Sequence, residues 1–394
     1  MTILAKGVSA YVEKTSWIRR MFEAGGRLKE QYGTQNVCDF SLGNPDLPAP
    51  RAVARALRAF AEHAEEPFAF GYMPNNGFAW ARKKLAAYLS VEQGVALGAD
   101  DVLLSCGAAG GINTFFRAVL NPGDEVVSFA PYFVEYGFYT ENHGGVFKAV
   151  AGKKDTFAPD IVGLEKALGP KTRVVLINSP NNPTGVVYSG KDIATLAGML
   201  EGKSLEYGHP VWLVSDEPYR FLTYDGVRTP PVLPLYPFAV CIGSFSKNLS
   251  LPGERIGYVA IAPHLQQKAK LMAGLTLTNR ILGFVNPPVV GQHLMAAALE
   301  SHVDISVYAA RRQAMAETLA GYDFQMPMGA FYFFPKAPGG NDIAFVNRLL
   351  EEKILGVPGT GFGCPGYFRL AFCVDESVIR KAGEGFARAR AAFA

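Results

Sequence analysis

Short apolar runs that break off into polar or Gly/Pro-rich loops place the tightest limit on how this chain can fold. The clearest are DVLLSCGAAG (101–110), DEVVSFAPYF (124–133), RVVLINSPNNPTG (173–185), VWLVSDEPY (211–219) and AVCIGSFSK (239–247). Each is a strand candidate followed by a loop that carries chemically capable side chains. Helical patterns lie between them, at Thr114 to Leu120 and at Lys191 to Glu201. Parallel strands joined by helical crossovers are therefore the economical reading. The fold class expected is α/β, with a large domain built on a mostly parallel sheet flanked by helices. In an open parallel sheet the ligand sits beyond the carboxyl ends of the strands, and the polar residues of this chain fall there repeatedly.

After about residue 290 the pattern changes. Long helical stretches, Gln292 to Ala320 and Ile343 to Lys353, surround an aromatic strand candidate, GAFYFFPK, and precede a second, GYFRLAFCV. This reads as a smaller α+β domain, and a short helix at Ser16 to Tyr32 docks against one domain or the other. The division expected is a large domain over 46–290 and a small one made of 1–45 with 291–394. At 394 residues, 49% hydrophobic and 19% charged, the chain has enough apolar material for both cores. A net charge of +3, with no run of five like charges, gives no footprint for nucleic acid or a membrane surface and directs attention to small molecules. Cys38, Cys106, Cys241, Cys364 and Cys373 form no CxxC pair, which argues against a disulfide framework and a structural zinc. The histidines show no HxH or HxxxH spacing, so no metal is expected. The opening residues lack the apolar core of a signal peptide, and no apolar run reaches about 18 residues. A complete, cytoplasmic protein is the expectation.

Several strand-end residues suit one charged aromatic cofactor. Asn182, in NNPTG, has an amide that can donate to a phenolate-type oxygen; by itself it reads as a turn residue before proline. Asp216 and Tyr219, in DEPY, end a buried run, where a carboxylate must be paired to stay ionised; by itself Asp216 also reads as a helix N-cap. Lys247, in SFSK, sits where a buried amine is costly unless it loses its charge, the form an imine-forming amine needs; by itself it reads as a surface lysine. Ser244 and Arg255 offer a hydroxyl and a fork of donors to a phosphate. Gly107, Ala108 and Ala109 lead into a helix whose first N–H groups can bind the same anion.

Taken jointly, these motifs resemble the class I and II aminotransferases, the fold-type I pyridoxal phosphate (PLP) enzymes, from Gly43 to Arg369. The resemblance implies that Lys247 carries PLP as a Schiff base and that Asp216 pairs with the pyridine nitrogen. It implies that Asn182 and Tyr219 contact the ring oxygen, and that Ser244, Arg255, Ala108 and Ala109 bind the phosphate. Phe133, in APYFVEY, matches the aromatic that stacks on the ring. Tyr72, in GYMPNNG, matches a tyrosine that reaches the neighbouring subunit's phosphate, which implies a homodimer with shared active sites. Arg369, in GYFRLAFC, matches the arginine that grips the substrate α-carboxylate, although position alone reads as a salt-bridged strand arginine. Gly43, in SLGNPD, matches the backbone element that closes over the substrate.

The activity so implied moves an α-amino group between an amino acid and a 2-oxo acid, with Lys247 also moving the α-proton. A carboxylate held by Arg369 in the ring plane leaves the Cα–H bond free to break, which favours transamination. The aspartate/glutamate type is open through Arg280, which precedes Asn286, Pro287 and Pro288 one residue off the matching position. Another branch of the family reads a side-chain carboxylate with a lysine where this chain has Ala109. A PLP-dependent β-lyase and an aminotransferase for aromatic or neutral amino acids share the same cofactor residues. A PLP-sensing regulator needs an added DNA-binding domain, for which the residues before Gly43 are too few. Gly361, Gly363 and Gly366 spell GxGxxG but lead into a strand candidate, so they make no dinucleotide site.

Overall fold

All five apolar runs become strands of one seven-stranded sheet in the computed structural model, which describes residues 3–13 and 17–393. The strands are β1 (Val102–Cys106), β2 (Glu125–Ala130), β3 (Val146–Ala151), β4 (Thr172–Asn178), β5 (Trp212–Asp216), β6 (Ala239–Ser244) and β7 (Ile256–Ile261). Their order across the sheet is β1-β7-β6-β5-β4-β2-β3. Side chains in β5, β6 and β7 are buried on both faces, which is why these strands read as continuous apolar runs rather than alternating ones. Six strands run in one direction; β7 is antiparallel to both β1 and β6. The segment 245–255 that joins β6 to β7 is shorter than the dozen residues a parallel crossover needs, so the chain turns back. Two strands were not among the expected runs. β3 is an edge strand whose side chains are mostly half-buried or exposed, and β7 lies behind the Arg255 motif.

The helices that matter to the site are α1 (Arg51–Ala61), α2 (Ala79–Gln93), α3 (Gly107–Val119), α4 (Glu135–Asn142), α5 (Lys268–Ile281) and α6 (Val289–Ala298). α3 opens on GAAGG, a poor helix-forming run. Packing supplies what propensity does not, because Ile112, Phe115 and Phe116 are buried in the core against β6 and β7 residues such as Val240, Ile242 and Val259. Gly111 allows this close approach: a Cβ there would lie 3.0 Å from Ile242 Cγ2.

The chain divides into two units. The larger is Pro45–Ser306 with Met328–Ala330; the other takes the residues up to Asn44, Val307–Pro327 and those from Phe331 onward. The boundary thus falls past Ser306 rather than at 290. The expected helical stretch from Gln292 to Ala320 is two helices, α6 and Ile305–Thr318. α6 stays with the large unit because it packs on α1, and Gln292 bonds the Phe78 N–H and the Pro287 carbonyl. The smaller unit pairs Cys38–Asp39 with Ile354–Leu355 and holds a three-stranded antiparallel sheet of Val357–Pro358, Phe368–Ala371 and Tyr332–Phe333. Its helix Trp17–Tyr32 answers the one expected from Ser16, which lies outside the described residues.

Candidate active site

Strands β1, β2, β4, β5 and β6 end at one edge of the sheet, and β7, running the other way, begins there. That topology collects residues far apart in sequence. Gly107, Ala108 and Ala109 follow β1, Phe133 follows β2 and Asn182 follows β4. Asp216 ends β5 with Tyr219 just beyond, Ser244 ends β6 ahead of Lys247, and Arg255 immediately precedes β7.

Asp216 is buried. The Tyr136 hydroxyl, from α4, donates to its Oδ2 at 2.6 Å, while Oδ1 has no hydrogen-bond partner among the described residues. Burial pushes this carboxyl up to about 7, the Tyr136 bond pulls it back, and the neighbouring Glu217 raises it again. Burial also holds the Tyr136 phenol far above its ordinary value, with the Asp216 charge adding to the effect, so it remains a neutral donor. Asn178 faces Asp216 in the β4–β5 register. Its Nδ2 donates to the Asp216 carbonyl at 2.8 Å, and its Oδ1 accepts from the Asn182 N–H at 2.7 Å. One buried amide thus places two of the expected site residues. No helix follows Asp216, so it does not serve as an N-cap. Asn182 and Tyr219 are buried, and Lys247 is half-buried with its Nζ 6.0 Å from the centre of the Tyr219 ring.

The side expected to hold the phosphate is built from backbone. No side chain caps the start of α3, so its first N–H groups point out of the helix unsatisfied by a cap. Gly107 has φ of +71°, and a Cβ there would come 2.9 Å from Arg255 Nη2, so only glycine lets the guanidinium lie against this turn. Arg255 Nη1 donates to the Pro252 carbonyl at 2.9 Å, which fixes the fork, and Ser244 is buried nearby in sequence at the end of β6.

Phe133 is half-buried and edge-on to Tyr136, with ring centres 5.6 Å apart. Phe133, Tyr136 and Tyr139 recur every third residue and pack on the core together with Ala108. Tyr136, Asn178 and Tyr139 were absent from the expected site, and the three-residue aromatic spacing was the available signal for the two tyrosines. Tyr72 is 93% exposed and takes no part in the cluster. Arg280 is exposed at the end of α5. In the smaller unit, Arg369 is buried, donates from Nη2 to the Ser41 carbonyl at 2.6 Å, and lies 4.8 Å from the ring centres of both Tyr332 and Phe362. Gly43 faces the Tyr332 ring, where a side chain would collide. Among the described residues no cluster of His, Cys, Asp and Glu could hold a metal.

These residues fit PLP. A buried carboxylate oxygen without a partner suits a pyridinium N–H, and an uncapped helix start beside a guanidinium suits a phosphate. Tyr136→Phe should weaken cofactor binding about tenfold at pH 7, since it strips from a buried carboxylate the one side-chain donor it has among the described residues. Equilibrium dialysis of the cofactor against the variant checks this, and an unchanged affinity would remove Tyr136 from the site.

Comparison with known proteins agrees. The model of the family "Aminotransferase class I and II" matches residues 35–386. The aspartate/prephenate aminotransferase of Thermus thermophilus is 31% identical over 363 residues, covering 88% of this chain and 89% of that protein. An amino transferase structure from Eubacterium rectale superposes with a TM-score of 0.95 at 35% identity over the whole of both chains. The Thermus thermophilus aspartate aminotransferase solved with maleate gives 0.86 at 28% identity, over 99% of this chain and all of that one. On sequence and on structure alike, the chain belongs to the class I and II aminotransferases and is a PLP-dependent transaminase.

Proposed function

We propose that this transaminase takes dicarboxylic amino acids, aspartate or glutamate, as donors. The observation that carries the reading is Arg280, an exposed guanidinium that makes no side-chain hydrogen bond or ion pair among the described residues. A fork of uncommitted donors is matched by a second carboxylate on the substrate. The Thermus thermophilus relatives support the same class, since one is named for aspartate and prephenate and another was solved with maleate, itself a dicarboxylate. Ala109 supplies no cation, which leaves the task to Arg280.

PLP, when bound, supplies an electron sink for the electron pair of the substrate Cα–H bond. Asp216 Oδ1 holds the proton on the ring nitrogen, and Tyr136 and Asn178 hold Asp216. Asn182 and Tyr219 donate to the ring oxygen, and Phe133 covers the ring face. Gly107, Ala108, Ala109, Ser244 and Arg255 hold the phosphate. Arg369 binds the substrate α-carboxylate, and Gly43 keeps the backbone bare where it closes over the substrate. Lys247 Nζ anchors the cofactor and takes the proton from substrate Cα.

The working form is a homodimer in which Tyr72 reaches the partner's phosphate. Its near-complete exposure, with Phe68 at 92% and Phe70 at 61% beside it, supports that reading. The compartment is the cytoplasm, which the five cysteines, none of them in a disulfide, support. No described helix is long and apolar enough to cross a membrane.

A panel of amino acids added to the holoenzyme, followed by the loss of the cofactor's visible band, identifies the donors. Arg280→Ala should lower kcat/KM for aspartate and glutamate about ten- to a hundredfold while sparing neutral donors. Unchanged aspartate and glutamate turnover would sink the dicarboxylate reading.

A further inference from the structure

On the residue after Asp216 begins a second polar cluster. Glu217 has a fully buried side chain. Its Oε1 accepts from Ser215 Oγ at 2.8 Å, and its Oε2 accepts from Arg220 Nη1 at 3.0 Å, Cys241 Sγ at 3.0 Å and Gln93 Nε2 at 3.2 Å. Arg220 spends its whole fork here. Nε donates to Glu92 Oε2 at 3.1 Å, Nη1 also to the Pro230 carbonyl at 3.2 Å, and Nη2 to the carbonyls of Glu92 at 2.7 Å and Thr229 at 3.1 Å. A cavity of about 20 Å³, lined by Glu92, Glu217, Arg220, Ser244, Asn248 and Tyr258 among others, has room for a single water.

A buried ion pair is weak support for stability, because apolar side chains of the same volume do as well. What such a pair does fix is position and local charge. Adjacent carboxylates at 216 and 217 would repel in a dry interior, and Glu217 raises the Asp216 carboxyl. A guanidinium bonded to Glu217 opposes that. The other titratable groups facing the two acids are Tyr136, Tyr139 and Tyr219 on the Asp216 side, and Cys241, Tyr258, Tyr88 and Glu92 on the Glu217 side. Burial holds the Cys241 thiol and the Tyr88, Tyr136, Tyr139 and Tyr258 phenols above their ordinary values, so they stay neutral. The charge from this cluster that acts on Asp216 is that of Glu217, which is paired in turn with Arg220, itself bonded to Glu92.

We propose that Glu217 and Arg220 are positioning residues for the transamination site: the pair anchors the end of β5 and sets the charge beside Asp216, and through it the protonation of the bound cofactor. The inference rests on the assignment of Asp216 to the ring nitrogen.

The test is a pH titration of the visible absorption band of the PLP holoenzyme, with Glu217→Gln as the main variant because it is isosteric. Removing one negative charge should move the titration to lower pH by about half a unit, a threefold change in proton binding. A double variant, Arg220→Met with Glu217→Gln, restores the charge balance of the pair and should bring the titration at least halfway back. An unmoved band in Glu217→Gln overturns the proposal, and so does a shift that the double variant leaves in place, which would come from lost packing. Should the double variant not fold, Glu217→Gln alone decides. Urea unfolding of the apoenzyme of each variant supplies a readout independent of the cofactor. Asp216→Asn is the control: if it leaves the band unmoved, the assignment of Asp216 falls and this proposal with it. If it moves the band and Glu217→Gln does not, only the proposal falls.

Discussion

Alanine at Lys247 should leave a folded protein that binds the cofactor without a covalent link and processes amino acids about 10⁴-fold more slowly, or worse. The side chain is half-buried beside Tyr219, so truncation opens little of the core, and the loss will fall on chemistry rather than stability. Two functions disappear together, the anchoring amine and the base that takes the α-proton. Single-turnover absorbance with each donor separates them. Small amines added to the buffer should recover part of the proton transfer, because they can enter the space of the missing side chain. Full turnover by Lys247→Ala would refute the assignment outright.

Asparagine at Asp216 should act in opposite directions on the empty and the loaded protein. Without cofactor, the carboxyl titrates near 7 in the folded chain against 3.8 in the unfolded one. The folded state therefore holds more protons between about pH 4 and 7, and the stability this confers is complete below 3.8 and lost as pH rises through 7. Asparagine cannot ionise. Apoenzyme carrying it should gain on wild type as pH rises from 4 to 8, by a few kcal/mol at most. With cofactor the comparison reverses, because the ring nitrogen gives the carboxylate its missing partner. At pH 8 the variant should bind cofactor about a hundredfold more weakly and transaminate at least about 10³-fold more slowly. Thermal unfolding of the apoenzyme across that range, with dialysis of the cofactor, measures both arms. Parallel pH profiles for variant and wild type would contradict the environment assigned to Asp216.

Much of the large unit was legible because its strands are buried on both faces. VVLIN at 174–178 and VWLVS at 211–215 have no polar side to hide, so they announce themselves as strands. Val146–Ala151 did not, since an edge strand half open to solvent carries neither a solid apolar run nor a clean alternation. The direction of Ile256–Ile261 was written in a chain length, the short 245–255 link, rather than in any residue type. Candidate site residues with distinctive chemistry, such as Lys247 and Asp216, stand out in the sequence through their motifs. Asn178, Tyr136 and Arg220 did not, because their importance lies in what they touch. Asn178 looks like any strand-end amide until its two bonds to the Asp216 and Asn182 backbones are seen. The unit boundary past Ser306 rested likewise on tertiary packing, of α6 on α1, which periodicity along one helix does not report.

The place of β7 between β1 and β6 orders events during synthesis. β1 is made first of the seven strands, yet its sheet partner is β7, the last. A nascent chain that has emerged only as far as β6 can pair β2 through β6, but β1 and the turn at Gly107 still lack a neighbour. Arg255 leaves the ribosome at the same moment as the strand that docks β1. The two halves of the proposed anion site, about 150 residues apart, are thus joined in one late step. If Gly107 and Arg255 hold the phosphate as proposed, cofactor capture reports that the sheet has closed, and a ribosome-bound chain cut short of residue 256 should not retain it.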